Sequence, residues 1–193
     1  MNKEIPIRES QFNRFFRHCN GLDEKGFHSW FFYPGMLFHE TEKWWGEGGI
    51  RVTPHEGIDF CFFRDNNGKP GSVNAGAKVP VVFEGMICSI ADDFLGKSIF
   101  ICHNYYDQNE RQLISIYGHV EPCRNISPGS VVREGEVIAL IGDASKRNQE
   151  MPSHVHISLA WIRKDLPDET LNWEIMKDNK SVVLFDPFDI IVL

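Results

Sequence analysis

The sequence predicts a mainly β domain, preceded by an N-terminal arm that contains a short helix. Two observations indicate this fold class. From residue 50 to about residue 163 the chain consists of short β-rich runs, and turn signals such as NNGKPG and NISPGS separate them. No run in that region keeps a 3.6-residue period over ten residues, as an amphipathic helix would.

The organisation of the chain changes near residue 55, and strand signals begin at residue 50, so we expect an arm over residues 1–49 and the main domain over residues 50–193. The arm opens with three phenylalanines at helical spacing, Phe12, Phe15 and Phe16. Asn20-Gly21 would end that helix. The remainder of the arm is aromatic-rich and irregular, and we expect Trp44 and Trp45 to serve in packing rather than to line a groove.

Seven runs of the main domain are strand candidates: IDFCFF, VPVVF, GMICSI, SIFICHNYY, RQLISIYGHV, EVIALIG and HVHISLAWI. The turn DDFLGK contains Asp92 and Asp93, which we expect to be solvated. Near the C-terminus, DLPDETLNWEIMKDNK predicts a short helix and SVVLFDPFDIIVL a final strand.

Composition excludes several classes of protein. The 193 residues carry a formal net charge of −7 and contain no run of Lys and Arg, so a nucleic-acid partner is not expected. No apolar stretch is long enough to span a bilayer. The first twenty residues lack the apolar core of a signal peptide. The five cysteines are odd in number and show no CxxC spacing, so we expect five free thiols.

The chain places His154 and His156 one residue apart in the run SHVHISLAW. In a strand, residues i and i+2 face the same way, so these two imidazoles share a face. Taken alone, the pair is weak evidence for a metal site, because histidines hydrogen-bonded on a polar sheet face would explain it equally well.

Two further clusters favour a metal site. HEGIDF puts His55 and Asp59 four residues apart at the start of a strand, and a glycine between them lets the backbone bend. SIYGHV ends a strand with His119. Two imidazoles and one carboxylate with a position left open suit a catalytic zinc. A non-haem iron site also uses two histidines and one carboxylate, but its usual HxD spacing would leave His119 and His154 unused.

At these residues the sequence resembles the lysostaphin/LytM-type zinc metallopeptidases, which cut peptide bonds in peptidoglycan. HEGIDF, YGHV and SHVHI correspond, in order, to that family's HxxxD, YGH and HxH motifs. PGSVVREGEVIALIGDAS resembles the hairpin that precedes the HxH strand. The likeness covers roughly residues 50–190.

The resemblance implies a role for each motif residue. His55, Asp59 and His156 would bind one catalytic zinc ion. His119 and His154 would not bind the metal but would flank the attacking water and the scissile carbonyl as proton-transfer groups, and the sequence does not divide the acid and base roles between them. The departures from the family pattern, Ile157 and Ser158, are not expected to touch the chemistry.

The resemblance also implies an antiparallel, sandwich-like core of the duplicated hybrid motif type. It does not extend to the arm, which we expect to pack on or near the catalytic groove. Some relatives use a tyrosine upstream of the first ligand as an oxyanion donor; here Arg51 is the candidate substitute. His103 is a candidate for orienting a ligand. The implied substrate is a peptide stem or cross-link of peptidoglycan, so an extracytoplasmic location and a monomer are expected.

Two alternative functions stay open at this point. A peptidase-like module could bind cell-wall material without cutting it, although such modules usually lose metal ligands. A histidine phosphoryl carrier related to the glucose-permease IIA domain has a similar β architecture and paired histidines. It would have no use for Asp59.

Overall fold

A computed structural model describes residues 7–147, 150–178 and 180–193 of the chain. Its α-helices are α1 Phe12–Cys19 and α2 Trp173–Met176. Its strands are β1 Phe27–Phe31, β2 Ile58–Phe60, β3 Phe62–Asp65, β4 Pro70–Ser72, β5 Lys78–Pro80, β6 Gly85–Asp92, β7 Lys97–Tyr106, β8 Gln112–Pro122, β9 Val131–Val132, β10 Val137–Ile141, β11 Val155–Ile162 and β12 Val182–Phe185.

The predicted mainly β, antiparallel fold is confirmed. The larger sheet has the order β12-β11-β8-β7-β6-β9, with β2 paired to β11 and β10 paired to both β5 and β8. A smaller sheet has the order β1-β3-β4. All of these pairings are antiparallel.

The larger sheet is covered on both faces, which explains why its strands are almost continuously apolar instead of alternating. On β7, Ile99 and Ile101 belong to one buried cluster, and Phe100 between them belongs to another. The first cluster includes the helix α1, and the second lies under the segment that contains α2. The larger sheet, which contains the motif strands β8 and β11, therefore has a packed layer of side chains on each face.

The arm is tied to the main domain by aromatic packing. Phe12 and Phe16 lie one helical turn apart on α1 and are fully buried, with ring centroids 5.5 and 6.3 Å from that of Phe60. The predicted helix is confirmed, and the chain leaves it through Gly21, whose φ of 59° favours glycine. The segment described as irregular contains β1, which pairs with β3 through Trp30 and Phe63.

Several boundaries differ from the sequence prediction. Within VPVVF the strand ends at Pro80, and the short strands β4 and β9 carried too few residues to be recognised. The predicted C-terminal helix is confirmed as the single turn α2, capped by the Asn172 side chain, which accepts hydrogen bonds from two backbone N–H groups. The predicted final strand is β12, which gives way to a 3₁₀ turn over Pro187–Asp189.

The expectation of five free thiols was wrong. Cys88 and Cys102 form a disulfide between the neighbouring strands β6 and β7, with their Cα atoms 6.0 Å apart. Cys19, Cys61 and Cys123 are free. An odd count excludes complete pairing but not one pair, and the two strands place these sulfurs within bonding reach. Within the described ranges, no helix is both long and apolar enough to cross a membrane.

Candidate metal centre and active site

Strand pairing brings the HxxxD and HxH motifs together. Asp59 on β2 is the register partner of His156 on β11, and His156 also pairs with Gly118 on β8. His55 lies four residues before Asp59, and its imidazole contacts the Asp59 carboxylate. All five histidine and aspartate residues singled out in the sequence are buried here: His55, Asp59, His119, His154 and His156.

Gly57 allows the close approach of the first motif to β11. A Cβ atom at this position would lie 2.1 Å from the carbonyl oxygen of Ile157, and real Cβ atoms do not come this close to a backbone atom. The glycine therefore allows backbone contact between the two motifs.

Three ligand atoms converge on one point. His55 Nε2 lies 3.1 Å from Asp59 Oδ1 and 3.0 Å from His156 Nδ1, and His156 Nδ1 lies 2.9 Å from Asp59 Oδ1. Ligands at zinc–ligand distances of 2.0–2.1 Å in a tetrahedron would be about 3.3 Å apart. The three atoms are thus already close to the spacing that a zinc ion requires.

In His55 and His156, the ring nitrogen that points away from the other candidate ligand atoms is hydrogen-bonded. The second ring nitrogen is therefore available for a metal ion. His55 Nδ1 donates to the Leu37 carbonyl at 3.1 Å, so its Nε2 carries the free lone pair. His156 Nε2 is 2.7 Å from Ser158 Oγ, and when this hydroxyl accepts the N–H, Nδ1 is free for the metal. Ser158 therefore contacts a candidate ligand directly, a contact that was not predicted from the sequence.

The two carboxylate oxygens of Asp59 have different partners. Its Oδ1 faces the two imidazoles, and its Oδ2 accepts a 2.7 Å hydrogen bond from Trp44 Nε1 and lies 3.8 Å from Arg51 Nη2. Burial would raise the pKa of this carboxyl, but the neighbouring histidines hold the pKa well below its usual value. Trp44 packs against Phe62 and His154, as expected, and its hydrogen bond to Asp59 was not predicted.

His154 is oriented by the backbone. Its Nδ1 donates to the Pro152 carbonyl at 2.8 Å, which leaves the lone pair on Nε2. That Nε2 lies 3.6 Å from Asp59 Oδ1, on the side of the converging ligands. Burial lowers the pKa of His154 to about 4, so the imidazole is neutral near pH 7.

A β-bulge aims His119 into the site. Between Tyr117 and Val120 of β8 there is one residue more than between their partners Ile99 and Lys97 on β7. His119 sits in this bulge with a φ of 64°, a conformation that is uncommon for residues other than glycine. The extra residue moves its ring away from the face of Tyr117, to a centroid distance of 4.8 Å from the ring of His154.

Asp93 holds His119 in place. Its Oδ2 accepts hydrogen bonds from the His119 backbone N–H and from Ser98 Oγ, each at 2.8 Å, and its Oδ1 lies 3.3 Å from His119 Nδ1. Burial would raise the pKa of Asp93, but these hydrogen bonds outweigh burial and keep the pKa far below its usual value. The expected solvated turn holds for Asp92, which is exposed, but was wrong for Asp93.

The five residues lie at the base of an open groove of about 480 Å³. Aromatic and aliphatic side chains form much of its walls: Trp45, Phe94, Met151 and Trp173. Trp45 lines this groove, so the expectation that it serves in packing rather than in lining a groove was wrong.

His103 does not belong to this site. It is fully buried, its Nδ1 donates to the Glu84 carbonyl at 2.9 Å, and its Nε2 is 2.7 Å from Ser115 Oγ. Burial lowers the pKa of His103 to about 4. The hypothesis that it orients a metal ligand was wrong, because the alternation of β7 directs it into the core beside Phe83.

Comparison with known proteins gives one family. A sequence model of peptidase family M23 matches residues 53–182, which is more than half of the chain and includes all three motifs. No curated protein matches the chain. Among solved structures it is similar to the catalytic domain of EnpA, a prophage-encoded M23 protein from Enterococcus faecalis. That pair is 21% identical over 74% of this chain and 91% of EnpA's, with a TM-score of 0.40.

Two further structures show the same level of similarity. LytU is 21% identical over 72% of this chain and 81% of its own, with a TM-score of 0.43. The antimicrobial peptidase lysostaphin from Staphylococcus simulans is 17% identical over 72% of this chain and 48% of its own, with a TM-score of 0.40. On the evidence of the family model, the chain belongs to peptidase family M23.

Proposed function

We propose that this protein is a zinc-dependent endopeptidase that hydrolyses peptide bonds in the stems or cross-links of peptidoglycan. One observation carries the proposal: three ligand atoms, from His55, Asp59 and His156, converge at the base of a groove beside two further histidines. The family supports peptide hydrolysis, and peptidoglycan is the substrate that the sequence resemblance implies. Since that polymer lies outside the cytoplasm, we propose an extracytoplasmic site of action.

His55, Asp59 and His156 would hold the metal at the base of the groove. Bound there, zinc supplies Lewis-acid activation of a water molecule and of the scissile carbonyl. The two remaining histidines are not needed as ligands, which distinguishes the site from a purely structural zinc centre with four protein ligands.

We assign the two proton transfers to different histidines, and the hydrogen bonds of each histidine support this assignment. His154 presents a bare Nε2 toward the ligand side, so it accepts the proton of the attacking water as its oxygen bonds to the carbonyl carbon. His119 shares its Nδ1 proton with Asp93, so its Nε2 is the atom that serves the substrate. To donate, His119 must carry a proton on each ring nitrogen: the Asp93 carboxylate holds Nδ1–H, and the Nε2 proton passes to the leaving amine as the C–N bond breaks. The proton that His154 took from the water then replaces the one that His119 gave up.

The proposal predicts release of new amino groups from purified peptidoglycan. The zinc-loaded protein should liberate them, a chelator should stop the release, and added zinc should restore it. Mass spectrometry of the soluble fragments would identify the bond that is cut. Zinc-loaded protein that sediments with peptidoglycan but releases no amino groups would contradict the proposal and favour the non-cutting, wall-binding module.

A further inference from the structure

We infer that Trp44 and Arg51 are positioning residues of the metal site, which hold Asp59 so that it offers a single oxygen to the metal. This inference rests on the proposed function, because it requires that Asp59 bind a metal ion. It assigns a role to part of the N-terminal arm, for which the sequence resemblance gives no residue-level role.

Trp44 provides a fixed donor. Its Nε1 donates to Asp59 Oδ2 at 2.7 Å, a short, charge-assisted hydrogen bond. Its ring is held edge-to-face against Phe62 on one side, at 5.9 Å between centroids, and against His154, at 4.9 Å. The indole therefore has little freedom to follow the carboxylate if that group turns.

Arg51 provides a fixed positive charge beside the same oxygen. Its Nη2 lies 3.8 Å from Asp59 Oδ2, and its side chain is only 15% exposed. The guanidinium also donates to two backbone carbonyls of the arm, those of Gly35 and Glu42, at 2.6 and 3.0 Å, and stacks over Trp45 at 4.6 Å. Nη2 itself makes the bond to Gly35 and Nε makes the bond to Glu42, so the arm anchors the guanidinium beside Asp59.

The consequence is a carboxylate with two different oxygens. Oδ2 faces Trp44 and Arg51. Oδ1 lies within 3.1 Å of the ring nitrogens through which His55 and His156 would bind the metal. A carboxylate without these partners could turn and bind a metal through both oxygens. It would then fill the position that a catalytic zinc keeps open for water.

The same stretch of chain also orients the first histidine ligand. The Leu37 carbonyl accepts from His55 Nδ1, the Glu40 carbonyl accepts from the His55 backbone N–H, and the His39 N–H donates to the His55 carbonyl. Residues 35–51 thus contact two of the three candidate ligands. In this inference the segment is an outer layer of the metal site.

The test compares two tryptophan variants of the full chain, Trp44→Phe and Trp161→Phe. The first removes the indole N–H while keeping an aromatic ring. The second is the matched control, because Trp161 stacks on Phe185 near the far end of β11. Competition with a chromophoric chelator should show roughly 10–100-fold weaker zinc binding by Trp44→Phe and parent affinity for Trp161→Phe.

A spectroscopic measurement separates positioning from general stability. In cobalt-substituted protein, Trp44→Phe should show weaker visible d–d absorption, since a second carboxylate oxygen raises the coordination number, whereas the control should keep the parent spectrum. Trp44→Phe with both the parent affinity and the parent spectrum would overturn the inference. A parent protein that binds no zinc would instead contradict the proposed function.

If Trp44→Phe does not fold, the parent protein still tests the inference by NMR. The Trp44 indole N–H should exchange slowly with solvent and should shift when zinc is added. An indole N–H that exchanges like an exposed one and does not respond to zinc overturns the inference.

Discussion

Replacing His154 with alanine should slow peptidoglycan hydrolysis by roughly 10²–10⁴-fold while the protein keeps one zinc ion per chain. The physical reason is that His154 presents a bare Nε2 beside the candidate ligands, yet is not one of the three atoms that converge. The measurement is metal content and turnover on the same preparation, with a soluble peptidoglycan fragment as substrate.

His156→Ala is the matched control, because it removes the other histidine of the HxH pair. It should lose zinc affinity and activity together, since His156 Nδ1 is one of the three converging atoms. His119→Ala should keep zinc, and the His119/His154 double variant should be little slower than either single variant if the two act as a unit. Loss of zinc from His154→Ala, with retention by His156→Ala, would reverse the assignment.

Replacing Asp93 with asparagine should lower turnover by roughly 10²–10⁴-fold with zinc content unchanged. The carboxylate oxygens of Asp93 act as hydrogen-bond acceptors. They accept from Ser98 Oγ and from the backbone N–H groups of Leu95, Gly96 and His119. An amide would turn an NH₂ group toward some of these donors and would no longer fix the tautomer of His119. Steady-state kinetics with parallel zinc analysis would measure the effect.

Asp92→Asn makes the same chemical change at the adjacent residue and serves as the control. Asp92 is exposed and pairs with Lys97 at 2.7 Å, so its replacement should leave turnover within about twofold of the parent value. Parent-like turnover by Asp93→Asn, or an equal loss in Asp92→Asn, would show that the carboxylate of Asp93 does not position His119.

Four of the five predicted site residues could be placed together from the sequence because their spacing has a direct geometric meaning, whereas the direction of His119 depends on the bulge in β8. Even spacing in an extended chain places His154 and His156 on one face, and likewise His55 and Asp59. Antiparallel pairing of β2 with β11 then needs only one register to bring both motifs together. The structure brings these residues to one place, and their individual roles remain predictions.

The outer partners of these residues could not all be found in this way. Ser158 lies two residues after His156 on the same strand face, so strand periodicity did contain a signal for it. Trp44 and Asp93 approach from a loop and a turn, whose side-chain directions follow no period. The turn at Asp93 was predicted correctly, but its contact with His119 depends on the tertiary approach of the bulge in β8.

The fold shows the same contrast between elements that the sequence pattern reveals and elements that depend on tertiary contacts. The long strands β7, β8 and β11 were identified because their apolar runs are long and bounded by turn residues. The strand β1 was missed because the aromatic residues around it do not alternate clearly in the sequence. Its pairing with β3 depends on the tertiary contact of Trp30 with Phe27, Phe16 and Phe60.

The most direct test of the central claim is anomalous diffraction from crystals of protein purified without metal-affinity resin, with data collected on both sides of the zinc absorption edge. The account predicts one zinc peak, about 2.0–2.2 Å from His55 Nε2, Asp59 Oδ1 and His156 Nδ1. Its signal should vanish below the edge. A metal centred instead on His119 and His154, or zinc-supplemented crystals with no peak at the three converging atoms, would contradict the account.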